Sequence, residues 1–166
     1  MDYRAFCRKQ NCISYSHLIE ELADQDLVFI GEAHNNPTHF QNEAKLLTNL
    51  AILAGRLSIA VEDIHDKAVY QFKREFFRKL NRQELTYLHR DNQKMAQTLA
   101  RLVQRDPFVT AVIGEDHLTG LSVDSLVNIA LLDLRIATVI QPENIDSSEG
   151  IYHIGRKGYI ILGSLN

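Results

Sequence analysis

Two short segments of this chain place a carboxylate and an imidazole two residues apart, directly after an apolar run. One is VFIGEAH (Val28–His34) and the other AVIGEDH (Ala111–His117). Each passes through Ile-Gly into Glu-x-His, pairing Glu32 with His34 and Glu115 with His117. In an extended chain residues two apart project to the same face, so each segment can aim both groups into one crevice. Gly31 and Gly114, just ahead of the pairs, let the backbone turn sharply or let a ligand come close. Imidazole nitrogens with carboxylate oxygens suit zinc, manganese or iron. Without metal the same set supports acid–base work, the carboxylate pKa values being pushed apart by mutual proximity. The competing reading is that each Glu or His only caps the next helix. Repetition at equivalent exits, together with Glu62–Asp63 after a third apolar run, favours chemistry over capping.

These groups need elements that bring them together. Leu27–Ile30, Leu57–Val61, Phe108–Ile113 and Arg135–Ile140 read as short buried strands. Ser16 is positioned to cap a helix through Ala23, with Leu18, Ile19 and Leu22 as its apolar stripe. Pro37 opens a helix in which Phe40, Ala44, Leu47, Ala51 and Ala54 recur at helical spacing, and Gly55 fits its C-terminal cap. From Lys67 to Arg105 the pattern is helical, as two helices broken near Asn81. One presents Val69, Phe72, Phe76, Phe77 and Leu80. The other presents Leu85, Leu88, Met95, Leu99, Leu102 and Val103. Ser122 caps a further helix through Leu132. Ile151–Ile154 and Tyr159–Leu162, around Gly155-Arg156-Lys157-Gly158, form a C-terminal β-hairpin. Residues 1–14 read as irregular. Strands alternating with helices predict one α/β domain over residues 1–166, a short, mainly parallel sheet flanked by helices. Ligands of such sheets bind beyond the carboxyl ends of the strands, where Glu32–His34, Glu62–Asp63 and Glu115–His117 fall.

Composition narrows the function classes. With 166 residues, 45% hydrophobic and 23% charged, 8 Gly and 3 Pro, the chain is ordinary globular material. A net charge of -3 argues against a dedicated nucleic-acid binder. The basic cluster Arg74, Arg78, Lys79 and Arg82 is interleaved with acids and reads as a solvated helix face. Cys7 and Cys12 make neither a disulfide framework nor a CxxC pair. The N-terminal segment lacks the apolar run of a signal peptide, and no later one reaches bilayer-spanning length. The expectation is a cytoplasmic protein that engages neither nucleic acid nor membrane. No Gly-x-Ser-x-Gly elbow follows the second motif despite Ser122 and Ser125, so an α/β-hydrolase triad is not expected. A dinucleotide fingerprint and a P-loop are absent too. His39 lies one turn into the helix after the first motif, facing crevice or solvent. His65 and Asp66 read as the start of the next helix, and His17, His89 and His153 as ordinary surface or packed histidines.

IGEAHNNPTHFQNEAKLL (Ile30–Leu47), followed by the strand that ends at Glu62, resembles the opening of the ChaN-like haem-binding proteins. VIGEDHLTGLSVDSL (Val112–Leu126) is similar to the second Gly-x-x-His block of the TraB/TIKI group. Those families resemble the erythromycin esterases in fold. The likeness covers Leu27–Val61 and Phe108–Ile140 and implies different chemistry by branch. TIKI-like members imply a metal-dependent protease, with His34, His117 and Glu62 as the ligand set. Erythromycin esterases imply water activation, with Glu32 or Glu62 as base. ChaN-like members imply haem bound by dimers in iron acquisition.

The leading expectation is therefore a metal-dependent hydrolase of a peptide or ester bond. His34, Glu62 and His117 would hold a divalent zinc, manganese or iron ion whose water is the nucleophile. Glu32 would be the further catalytic carboxylate, and Gly31, His39, Gly114 and Glu115 the cofactor-contacting residues around them. The substrate would be a small molecule or peptide. The alternative is a haem-binding protein of the ChaN type acting in iron uptake, with haem at a homodimer interface and a Tyr or His axial ligand. A third expectation is an inactive interaction scaffold. The chain is shorter than the resemblance calls for, so either a second subunit completes the site or the activity is lost.

Overall fold

The computed structural model describes residues 11–62, 67–80, 85–118, 127, 133–143, 149–154 and 158–165. Its strands are β1 (Cys12–Ile13), β2 (Leu27–Glu32), β3 (Ser58–Glu62), β4 (Thr86–Leu88), β5 (Val109–Gly114), β6 (Ile136–Ile140), β7 (Gly150–Ile154) and β8 (Gly158–Leu162). Its helices are α1 (Tyr15–Ala23), α2 (Pro37–Ala54), α3 (Lys67–Leu80) and α4 (Asn92–Arg105). The strands make one mixed sheet in the order β1-β7-β8-β6-β2-β5-β3-β4. The pairings from β8 through β6, β2, β5 and β3 to β4 are parallel. The β7–β8 hairpin and the β1–β7 pair are antiparallel. The predicted α/β architecture and C-terminal hairpin are what the chain adopts.

Strands β2, β3 and β5 are buried at every residue, which is the condition of central parallel strands covered on both faces. Alternation divides them between two layers. Val28, Ile30, Ile59, Val61 and Val112 join Leu18 and Leu22 of α1, Leu46, Leu47 and Leu50 of α2, and Phe77 of α3 in one core. Leu27, Phe29, Ala60, Ala111 and Ile113 join Met95, Leu99 and Leu102 of α4, with Val127, in the other. A fully buried side chain of this kind stabilises the fold by roughly 1.5–3 kcal/mol. The two layers therefore pin the central strands in register, and with them the polar residues at their ends.

Four features depart from the sequence reading. Strand β4 lies inside the stretch expected to be helical, between α3 and α4; at three residues it is too short to display a period. Strand β1 lies in the segment read as irregular and is held by its edge pairing with β7 and by Ile13 against the core. Helix α1 is capped by Ser14 rather than Ser16: the Ser14 side chain accepts the His17 N–H at 3.2 Å. On α2 the buried face is His39, Asn42, Glu43, Leu46, Leu47 and Leu50, rotated from the predicted stripe, while Phe40, Ala51 and Ala54 are only partly buried. The rotation has a cause, because the first turns of α2 face polar strand ends and there bury polar side chains. The expected helix from Ser122 falls outside the described residues except at Val127, as do the hairpin tip and the side chains of Val69 and Phe72. No helix among the described residues is long and apolar enough to cross a membrane.

Gly55 caps α2 with φ 65°, and a Cβ placed there would meet nothing within 4 Å. The cost of a side chain is therefore purely that of the left-handed backbone. Gly55→Ala is expected to lower stability by about 1 kcal/mol, read as a lower urea midpoint at unchanged slope.

Candidate functional site

The register of the sheet assembles the polar rim. Glu32 ends β2 opposite Gly114, the last residue of β5. On the other flank of β5, Val61 pairs with Val112, which leaves Glu62 beside the end of that strand. The Gly114 N–H donates to Glu62 Oε2 at 2.8 Å. A Cβ on Gly114 would stand 3.1 Å from His34 Nε2 and 3.2 Å from Glu62 Oε2. Glycine is needed here for room between strand end and side chains.

His34 bridges the two carboxylates. Its Nδ1 lies 3.0 Å from Glu32 Oε1 and its Nε2 3.5 Å from Glu62 Oε2. A ring with an anion at each nitrogen holds two protons. The hydrogen bond to Glu32, then that to Glu62, raises the His34 pKa to about 9 against the opposing effect of burial. His117 reaches the same rim from a single 3-10 turn, Glu115–Leu118. Its Nε2 is 3.3 Å from Glu62 Oε1, and its Nδ1 donates to Asn92 Oδ1 at 2.6 Å. Arg90, just beyond β4, brings its Nε within 3.8 Å of Glu62 Oε1. Burial alone would raise the Glu62 pKa, but the bonds from His34 and the Gly114 N–H, with the His117 charge, lower it to about 2.

Lys73 and Glu43 lie behind Glu32. Lys73 of α3 is buried, with its ammonium bonded to Glu32 Oε2 and 3.4 Å from Glu43 Oε2. The Phe40 ring centroid is 5.6 Å from that ammonium, and Phe40, Phe76 and Phe77 stack on one another edge to face or tilted. Burial raises the Glu32 pKa, yet the bonds from His34, Glu43 and Lys73 outweigh it and lower it to about 2. Glu43 goes the other way. Burial, then the neighbouring Glu32 charge, pushes it well above the carboxylate range, so it is held neutral. With Glu43 neutral, the anions Glu32 and Glu62 face the cations Lys73 and His34, with Arg90 beside Glu62 as a further positive charge.

Of the residues predicted from sequence, Glu32, His34, Glu62 and His117 converge as expected, and Gly114 packs among them. His39 does not join them. It is buried at the start of α2, its Nδ1 accepts the Ala33 N–H at 2.9 Å, and burial lowers its pKa. Gly31 faces packing rather than an open crevice: a Cβ there would meet Leu118 Cδ1 at 2.9 Å, and its carbonyl accepts from Gln141 Nε2 at 3.3 Å. Glu115 heads the 3-10 turn and is half-buried. Asp63, His65, Asp66, Ser122 and Ser125 lie outside the described residues. Among the described residues no group of three or more His, Cys, Asp or Glu side chains is arranged to hold a metal ion.

Sequence reasoning missed Lys73, Glu43, Arg90 and Asn92. The first two carried a signal. Lys73 sits four residues before Phe77, on the apolar face of a strongly amphipathic helix, and Glu43 stands three and four residues before Leu46 and Leu47. A charge at a core position of a helix implies a buried partner. Arg90 and Asn92 flank the three-residue strand that was itself unread.

Residues 18–89, which carry Glu32, His34, Glu62 and Lys73, match the family described as haem-binding uptake, Tiki superfamily, ChaN. The solved structure titled "Cofacial heme binding to ChaN of Campylobacter jejuni" superposes with a TM-score of 0.66 at 12% identity, over 96% of this chain and 95% of that one. The fold is that of ChaN. No curated protein matches the chain in sequence. The ChaN-like resemblance of the first motif thus extends to the whole architecture, including the terminal hairpin.

Proposed function

We propose that this chain binds haem, as a ChaN-like protein of iron uptake or handling. The observation that carries the reading is the match of residues 18–89 to the haem-binding uptake family.

The space enclosed behind the polar rim does not admit a macrocycle. The cavity behind it, lined by Glu32, Glu62, Lys73 and Phe77 among others, measures about 10 Å³, room for about one water molecule. His34 would have to surrender a proton held to about pH 9 before either nitrogen could face iron. His39 is neutral, but its Nδ1 is already committed to the backbone. No step through haem iron is therefore assigned to these residues. Their contribution is to clamp the ends of β2, β3 and β5 to α2 and α3, with His117 fastened to the first residue of α4.

The metal-dependent hydrolase expected from the same residues has their types in its favour. Against it stands the occupancy of the imidazoles, whose Nε2 atoms both face the single carboxylate of Glu62. A divalent ion at Glu62 would compete with the His34 proton, because ligand imidazole must be neutral.

Haem titration tests the proposal. A Soret band that saturates at a fixed haem-to-chain ratio is the expected result, together with a rise in thermal midpoint from binding to the folded state. Spectra that simply add protein to free haem, with no thermal shift, would overturn it.

A further inference from the structure

In an open parallel sheet the ligand crevice lies beyond two neighbouring strands whose connections leave in opposite directions. Here those strands are β2, which connects towards β3 on one side, and β6, which connects towards β7 and β8 on the other. A piece of the chain's own backbone spans this crevice. With Ile140 opposite Ile160, β8 runs two residues past the end of β6. The chain then turns at Gly163 and crosses to α2.

Asn42 of α2 receives it with both ends of its side-chain amide. Its Nδ2 donates to the Gly163 carbonyl at 2.9 Å and to Gln141 Oε1 at 3.0 Å, and its Oδ1 accepts the Leu165 N–H at 2.8 Å. Lys45, three residues along α2, donates to the Leu165 carbonyl at 3.0 Å. Gln141 carries the contact inward, donating to the Gly31 carbonyl at 3.3 Å, one residue ahead of Glu32. Asn42 and Gln141 are each 1% exposed, whereas Gly163 and Ser164 lie exposed above them. The segment is therefore held by three polar bonds and by Leu165, which is half-buried against the core.

Two features suit this segment to opening as a unit. Gly163 has φ 77°, and a Cβ there would stand 2.7 Å from Glu149 Cγ and Cδ, so the turn is built for glycine. Beside Asn42, Glu43 Oε1 is buried without a hydrogen-bond partner. That atom gains water when α2 lifts, which lowers the cost of lifting it. We propose that Gly163–Leu165 is a hinged strap closed over the β6–β2 crevice. Its release lets the first turns of α2 lift from the exit of β2 and admits solvent to the Lys73–Glu32–Glu43 cluster. The strap, and not the rim alone, then governs entry to the buried charges.

Native-state hydrogen exchange by NMR tests this, because local openings release their amides together and below the cost of global unfolding. Two amides report the proposed unit: Leu165, bonded to Asn42, and Ala33, whose N–H donates to His39 Nδ1 in the first turn of α2 at 2.9 Å. Phe29 in mid-β2 and Gly114, bonded to Glu62, serve as controls. Gly163→Ala strains the hinge, and Lys45→Met removes the partner of the Leu165 carbonyl without touching the backbone. The expected result is that Leu165 and Ala33 exchange about tenfold faster in Gly163→Ala, and faster in Lys45→Met, while Phe29 and Gly114 keep their rates. Acceleration of Leu165 with Ala33 unchanged would overturn the coupling of strap to α2. Equal acceleration of all four amides, or of none, would show that the segment opens only with the whole fold and would overturn the strap itself.

Discussion

Lys73→Met is expected to destabilise the fold by about 3–5 kcal/mol, the usual cost of removing one partner from a buried ion pair. For a chain of this length that is a fall in thermal midpoint of roughly 6–20 °C. Methionine fills most of the space the lysine stem occupies beside Phe40, so lost packing is a minor part of the effect. What remains is a buried Glu32 that has lost its ammonium partner and keeps only His34 as a cation. Glu43→Gln provides the contrast. Because Glu43 is held neutral by burial and by the Glu32 charge, an amide in its place should cost no more than about 1 kcal/mol. Paired thermal melts of the two variants check both statements. Equal, large losses would mean that Glu43 is ionised and shares the lysine, contrary to the charge assignment derived above.

The second large effect is on the pH dependence of stability. His34 rises from an ordinary 6.5 to about 9 on folding. Its contribution is therefore complete below pH 6.5 and lost as pH climbs through 9. Glu43, also raised, adds a loss in the same direction. Glu32 and Glu62 fall from 4.5 to about 2, so what they contribute is complete above pH 4.5 and lost as acid approaches 2. His39, lowered by burial, opposes His34 and gives up stability as pH falls below its ordinary value. Stability should peak between roughly pH 5 and 7 and decline on the alkaline side. His34→Gln should flatten the alkaline limb by on the order of 2 kcal/mol once the ring's partial exposure is allowed for. Urea denaturation at closely spaced pH values reads this directly. An alkaline limb of equal depth in wild type and variant would show that His34 does not carry the proton.

How much of this was legible beforehand follows from what each residue had to signal. The strands that end in Glu32, Glu62 and Gly114 are apolar runs bounded by polar exits. The helix from Pro37 to its glycine cap is marked at both ends, so these elements and their convergence could be read. Strand β4 has three residues, one of them an exposed tyrosine, and it becomes a strand only because β3 offers a free edge. The buried face of α2 follows from its setting and not from its apolar period, because His39, Asn42 and Glu43 point inward at a polar rim. Lys73 was overlooked for the same reason, sitting beside a basic cluster that reads as solvated. The common lesson concerns burial of charge: a period in apolar residues locates a core, but it does not reveal which polar residues that core encloses. As the metal-ligand expectation requires, His34 and His117 do both reach Glu62, at 3.5 and 3.3 Å, but no metal-holding group is arranged there among the described residues. Absent from that expectation are buried Lys73 and Glu43, which hold Glu32 from behind.

One measurement tests most directly whether the chain holds haem apart from a rim locked by a protonated histidine. It is the ¹⁵N resonance pair of the His34 imidazole, followed across pH with and without one equivalent of haem. The expected result is a ring protonated at both nitrogens at neutral pH, titrating near 9 and unchanged when haem is bound. A neutral ring at pH 7, or loss of its signals to the paramagnetic iron, would contradict it and would return the rim to the role of ligand site.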